Sequence, residues 1–279
     1  MPQPQASPPS TSVEAASRFL LSAVVYGPVR PDRELHHLTQ RALKGYTGGE
    51  EFFTDITLRD ARQPGLMSID FSVTASSPGG AQRAGIFYLG QLCDLLSAVT
   101  RQPLKFLMPG EDSQQERIRG NRTSTHTDRI LTEQEWQWII GSVVQLRLEH
   151  PRFLAAASWY RKGLCGIDPL EVVCCFWRVI ERLSLSYADK SSMKEEDRGR
   201  AKPCVRKLAA DLDLTRVGNG ILQDDALLKR IVDLRNDVSH GNEPITPKLI
   251  EEAADLRESL EEAAFKTLQA IRQAKLIPS

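Results

Sequence analysis

The stretch Ile231-Val232-Asp233-Leu234-Arg235-Asn236-Asp237-Val238-Ser239-His240-Gly241-Asn242 decides how the second half of the chain is read. Leu227, Ile231, Leu234 and Val238 recur at i, i+4, i+7 and i+11, which is one apolar stripe of a helix packed into a core. At about 100° per residue, Asn236 and His240 point away from that stripe and Arg235 sits at its border. Gly241 is a natural stop, because glycine takes the left-handed backbone that closes a last helical turn. The stretch therefore predicts the end of a bundle helix carrying a guanidinium, an amide and an imidazole, three groups able to contact a phosphate.

Working outward, the neighbouring helices announce themselves by their caps. Thr132 with Glu135 forms a capping box. Asp168, Pro169 and Glu171 supply the N-cap, first and third positions of a second long helix. Ser192 with Glu195 predicts a further helix start. Thr246-Pro247 opens the last helix, whose Leu249, Ala253, Leu256, Leu260 and Ala263 share one stripe. Connections are short apart from the charged segment 189–202, and short loops between amphipathic helices predict an antiparallel bundle.

The front half carries a different period. Met67, Ile69, Phe71 and Val73 alternate with Ser68, Asp70, Ser72 and Thr74, the pattern of a half-buried strand. Pro64-Gly65 supplies a turn to a preceding strand in 51–59. Residues 19–29 read as another strand, stopped at Gly27-Pro28. Ser77-Pro78-Gly79-Gly80 breaks the pattern. Leu89, Leu92, Leu96 and Val99 then give a helical stripe, and a short strand follows in 104–108. His36 and His37, with no ligand partner nearby in sequence, read as surface or loop residues. The expected organisation is α+β: a disordered tail (1–12), a small α/β unit (13–108) suited to packing or to binding a protein partner, a polar linker (109–131) and a helical bundle (132–279).

Composition narrows the function classes. Thirty-six Lys and Arg balance 36 Asp and Glu, so no global field gathers nucleic acid and any RNA contact must be a local patch. The segment holding Arg198, Arg200 and Lys202 is the best such candidate for phosphate contact, though Glu195, Glu196 and Asp197 dilute it. Five cysteines without a C-x-x-C pair or paired histidine spacing give no zinc signature. Their odd number, with no signal peptide, points to a reducing cytoplasm. No apolar run approaches the roughly 18 residues that a membrane span requires.

The run from Arg235 to His240 resembles the R-x4-H motif, with a polar residue after the arginine, of the HEPN superfamily of helical ribonucleases and nucleotide-binding proteins. Trp177-Arg178-Val179-Ile180-Glu181 looks like the W-x-x-[LI]-E segment in the first helix of the ApeA-like HEPN group. The layout, an α/β front followed by a bundle, also resembles the J-type methylamine-utilisation proteins. The HEPN resemblance implies a metal-independent endoribonuclease, needing no cofactor, of the kind that acts in defence or as a toxin. Arg235 would hold the scissile phosphate, His240 would act as acid and base, Asn236 would support them and Glu181 would position Arg235. It also implies a homodimer with a composite site and products ending in a 2′,3′-cyclic phosphate. An imidazole titrating near about 6.5 suits the proton transfers, and a guanidinium suits a phosphate whose negative charge grows. The methylamine-utilisation likeness implies something else, a non-catalytic scaffold or accessory protein acting by dimerisation and protein binding. On that reading Arg235 pairs with Asp233, Asp237 or Glu181 and staples helices together, and His240 caps a helix C-terminus.

Overall fold

A computed structural model describes residues 17–38, 55–108, 128–240 and 244–277, excepting the side chains of Ser239 and His240. The expected tail at 1–12 and residues 109–127 of the expected linker lie outside the described residues, as does Gly241. The strands are β1 (Ser17–Tyr26), β2 (Val29–Pro31), β3 (Leu35–Leu38), β4 (Asp55–Asp60), β5 (Leu66–Ala75), β6 (Lys105–Leu107) and β7 (Arg129–Leu131). The helices are α1 (Pro78–Thr100), α2 (Glu133–Glu149), α3 (Pro151–Cys165), α4 (Pro169–Tyr187), α5 (Ala201–Asp211), α6 (Asp225–His240) and α7 (Pro247–Ile271). The architecture is α+β, a five-stranded antiparallel sheet followed by a run of helices.

The sheet is ordered β3-β4-β5-β1-β6. Strict alternation puts Ala23 and Val25 of β1, Ile56 and Leu58 of β4, and Met67, Ile69, Phe71 and Val73 of β5 on one buried face. The opposite face carries a polar mesh in which Arg59 bonds both Glu34 and Asp70, and Ser22 donates to Asp70. His36 and His37 are not loop residues. They pair on β3 opposite Thr57 and Ile56, and His36 bonds Thr57 Oγ1 at 3.1 Å. Two polar rings in a four-residue segment leave no apolar alternation to betray an edge strand.

Helix α1 lies between the sheet and the remaining helices, so it is buried nearly all round over residues 92–100. Ser77-Pro78-Gly79-Gly80, expected only to break the strand, starts this helix: Ser77 Oγ accepts from Gly80 N–H, and Pro78 fills the first turn. Gly85 lets the helix approach the sheet, since a Cβ there would lie about 3.1–3.2 Å from Leu21, Phe71 and Met108. Behind α1, helices α2, α3, α4 and α7 share one continuous core with the sheet, centred on Trp136, Tyr160, Phe176 and Trp177. Among the described residues no helix is long and apolar enough to cross a membrane.

Several caps stand where the sequence places them. The Thr132–Glu135 box is reciprocal, Asp168 accepts from Leu170 N–H, and Thr246 accepts from Leu249 N–H. The Ser192–Glu195 start is a correction. Glu195–Asp197 is a single 3-10 turn entered from Lys194, and α5 begins at Ala201 with no side-chain cap. Segment 129–131 is also more ordered than a linker, since it pairs in parallel with β2 and leads straight into α2.

Candidate functional site

Helix α6 is capped by Asp224, whose carboxylate accepts from the Ala226 and Leu227 N–H groups. Among its described residues Leu228, Ile231 and Leu234 are buried, while Leu227 and Val238 are only partly covered. The core stripe is thus turned by one residue at its start relative to the sequence reading. Arg235 lies within ion-pair range of Glu181 on the neighbouring helix α4.

Arg235 is half-buried, its side chain 30% exposed. Nη1 donates to Asn236 Oδ1 at 2.9 Å. Nη2 lies 3.6 Å from Glu181 Oε2, inside ion-pair range but beyond a hydrogen bond. Nε is buried and has no hydrogen-bond partner. The guanidinium is therefore steered at its ends without being saturated. A bidentate pair would have used the donors that a phosphate needs.

Cys174, Arg178 and Glu181 fall at i, i+4 and i+7 of α4, one face of that helix. Burial pushes the Cys174 thiol up to about 11, against the opposing pull of the nearby Arg178 and Arg235 charges. The charges of both guanidiniums reach this thiol, and so does that of the Asp168 carboxylate. Among the described residues, Glu181 is the only carboxylate within ion-pair distance of either. Arg178 instead stacks on Trp159 of α3, 4.3 Å from the ring centroid, and Lys162 lies 4.4 Å from the same ring. Sequence reading missed this aromatic and cationic neighbourhood. Trp159 and Arg178 lie 19 residues apart on different helices, so only the packing of α3 on α4 joins them.

The structure thus brings Arg235, Asn236 and Glu181 together. The backbone of His240 closes α6, and its side chain lies outside the described residues. Trp177, the other end of the W-x-x-x-E segment, is a core residue at 1% exposure. Arg198, Arg200 and Lys202 sit around the 3-10 turn and the start of α5. Arg198 donates to the Met193 carbonyl, Arg200 lies 4.0 Å from Asp197, and no described contact joins any of the three to Arg235. Among the described residues no group of three His, Cys, Asp or Glu side chains could hold a metal ion. No protein-family model matches the chain, and no curated protein or solved structure does either.

Proposed function

We propose that this protein is a metal-independent endoribonuclease of the HEPN type. The reading rests on one observation: Arg235, near the end of α6, keeps a half-buried guanidinium whose Nε has no partner and whose ion-pair partner Glu181 stands beyond hydrogen-bond distance at 3.6 Å. Such a corner attracts a phosphate, and the imidazole of His240, five residues on, supplies the group that can move a proton at neutral pH. In the reaction, the 2′-hydroxyl oxygen attacks phosphorus while its proton passes to a base. The bond to the 5′-oxygen breaks, and an acid returns a proton to that oxygen. The products are a 2′,3′-cyclic phosphate and a 5′-hydroxyl. Arg235 neutralises charge on the non-bridging oxygens, Asn236 holds its guanidinium, and Glu181 limits its swing. Two α6 ends facing each other in a homodimer would supply one imidazole as base and the other as acid. The five unpaired thiols suit a reducing cytoplasm.

Incubation of labelled RNA with the purified protein in EDTA tests this. Cleavage by the wild type, lost by at least about 100-fold in both Arg235→Ala and His240→Ala, is expected from removal of a charge clamp or a proton shuttle. Folded variants that cleave as the wild type does would overturn it. A second reading has its own observation, since the Arg235–Glu181 pair also ties α6 to α4. If the wild type leaves RNA intact yet dimerises, a non-catalytic scaffold or accessory protein is the better description.

A further inference from the structure

On the side of α1 away from the sheet, a cleft of about 450 Å³ opens between α1, the end of α2 and the start of α3. That volume falls in the range of small-molecule sites. Phe87, Pro151, Leu154 and Ala155 give its lining apolar surface, and Arg147, Arg161 and Asp94 bring charge to the same lining. The charges there do not balance. Arg161 donates to Asp94 Oδ1 at 2.6 Å and reaches the Leu104 carbonyl, so that pair neutralises itself. Burial raises the Asp94 carboxyl above its ordinary range, opposed by the Arg161 charge that it faces. Arg147 has no carboxylate within ion-pair distance among the described residues. Its guanidinium lies 4.6 Å from the Tyr88 ring centroid and 5.7 Å from that of Phe87, and donates to the Tyr88 hydroxyl at 3.2 Å. Stacking holds the group in place and leaves a half-buried positive charge facing the cleft without an anion.

The floor of the cleft adds an independent observation. Gly90 sits inside α1, where glycine weakens a helix by about 1 kcal/mol relative to alanine. Unlike Gly85, it is not required by close packing, because a Cβ at position 90 would meet nothing within 4 Å. The missing side chain is what keeps this part of the cleft open.

We propose that the cleft binds a small organic carboxylate, its single negative charge on Arg147 and its apolar body against Phe87, Leu154 and Ala155. One uncompensated cation matches a monoanion. This site is separate from the α6 corner and stands or falls independently of the nuclease reading.

Benzoate and hexanoate serve as probes, with the neutral isostere benzamide as control, followed by calorimetry and by tryptophan fluorescence. At least one carboxylate is expected to bind with a dissociation constant near or below about 1 mM, and benzamide about tenfold or more weaker. Arg147→Gln should lower carboxylate affinity at least about tenfold, the loss of one charge-assisted contact. Gly90→Leu puts its Cβ into open space and its side chain into the floor, so it should leave the protein folded with a Tm near the wild type's and abolish binding; it serves even if Arg147→Gln folds poorly. Absence of carboxylate binding, equal binding of benzamide, or undiminished binding by Gly90→Leu would each overturn the proposal.

Discussion

Arg235 shows how much a single pair distance decides. At 3.6 Å from Glu181, with both side chains about a quarter to a third exposed, the ion pair is worth no more than about 1 kcal/mol. It steers the guanidinium without consuming it. Arg129 and Glu135 mark the opposite case. Arg129 grips both carboxylate oxygens of Glu135, which also accepts from the Thr132 backbone N–H and hydroxyl. Burial works to raise the Glu135 carboxyl, yet the Arg129 and Thr132 hydrogen bonds bring it below its usual value. Because the folded value lies below the unfolded one, this contribution is complete above the unfolded value and vanishes as pH falls through the folded one. Glu135→Gln keeps a capping-box acceptor but loses the ion pair with Arg129, so it should lower stability by about 1 kcal/mol near neutral pH. The deficit should shrink in acid as the wild type loses the same interaction. Denaturant titration at several pH values checks this; a deficit unchanged down to strong acid would contradict the linkage.

At the scale of elements, α3 and α4 meet where Gly163 faces Phe176. A Cβ on Gly163 would come within 2.6 Å of the Phe176 ring, and that ring is buried and cannot swing aside. Gly163→Ala should destabilise the protein by about 1–3 kcal/mol despite alanine's better helix propensity, the cost of overpacking a filled core. A thermal melt reads it, and a Tm equal to or above the wild type's would contradict the contact. Which elements were legible in the sequence follows from the same physics. The openings of α2, α4 and α7 were visible because Thr132, Asp168 and Thr246 announce their caps chemically. The alternation at Met67, Ile69, Phe71 and Val73 marked β5 for the same kind of reason. Strand β7 was not visible, since three residues paired in parallel leave no period to read. The start of α5 was hidden because Arg200 offers no side-chain cap. The signal at Ser77-Pro78 was present, but the two glycines after it made the stretch look like a loop. At the candidate site, Arg235, Asn236 and Glu181 could be named from spacing and resemblance. The Trp159–Arg178 stack and the Arg147 cleft depend on which helices pack together, and no single stretch encodes that.

At the scale of the whole molecule, α1 makes the sheet and the bundle one body, because the buried cluster runs without interruption from β4 and β5 through α1 to α4 and α7. A core shared by both halves couples their unfolding. All four tryptophans, Trp136, Trp138, Trp159 and Trp177, lie in the helical half, so their fluorescence reports the bundle, whereas far-ultraviolet circular dichroism also reports the sheet. The two melting curves should coincide, and a separate early transition in the dichroism would show that the sheet melts alone. The central claim concerns the end of α6, and the most direct test is the chemistry of RNA ends after incubation in EDTA. Wild-type protein should generate 2′,3′-cyclic phosphate and 5′-hydroxyl termini, and folded Arg235→Ala and His240→Ala proteins should generate none. Intact RNA with the wild type, or the same termini from both variants, would contradict it.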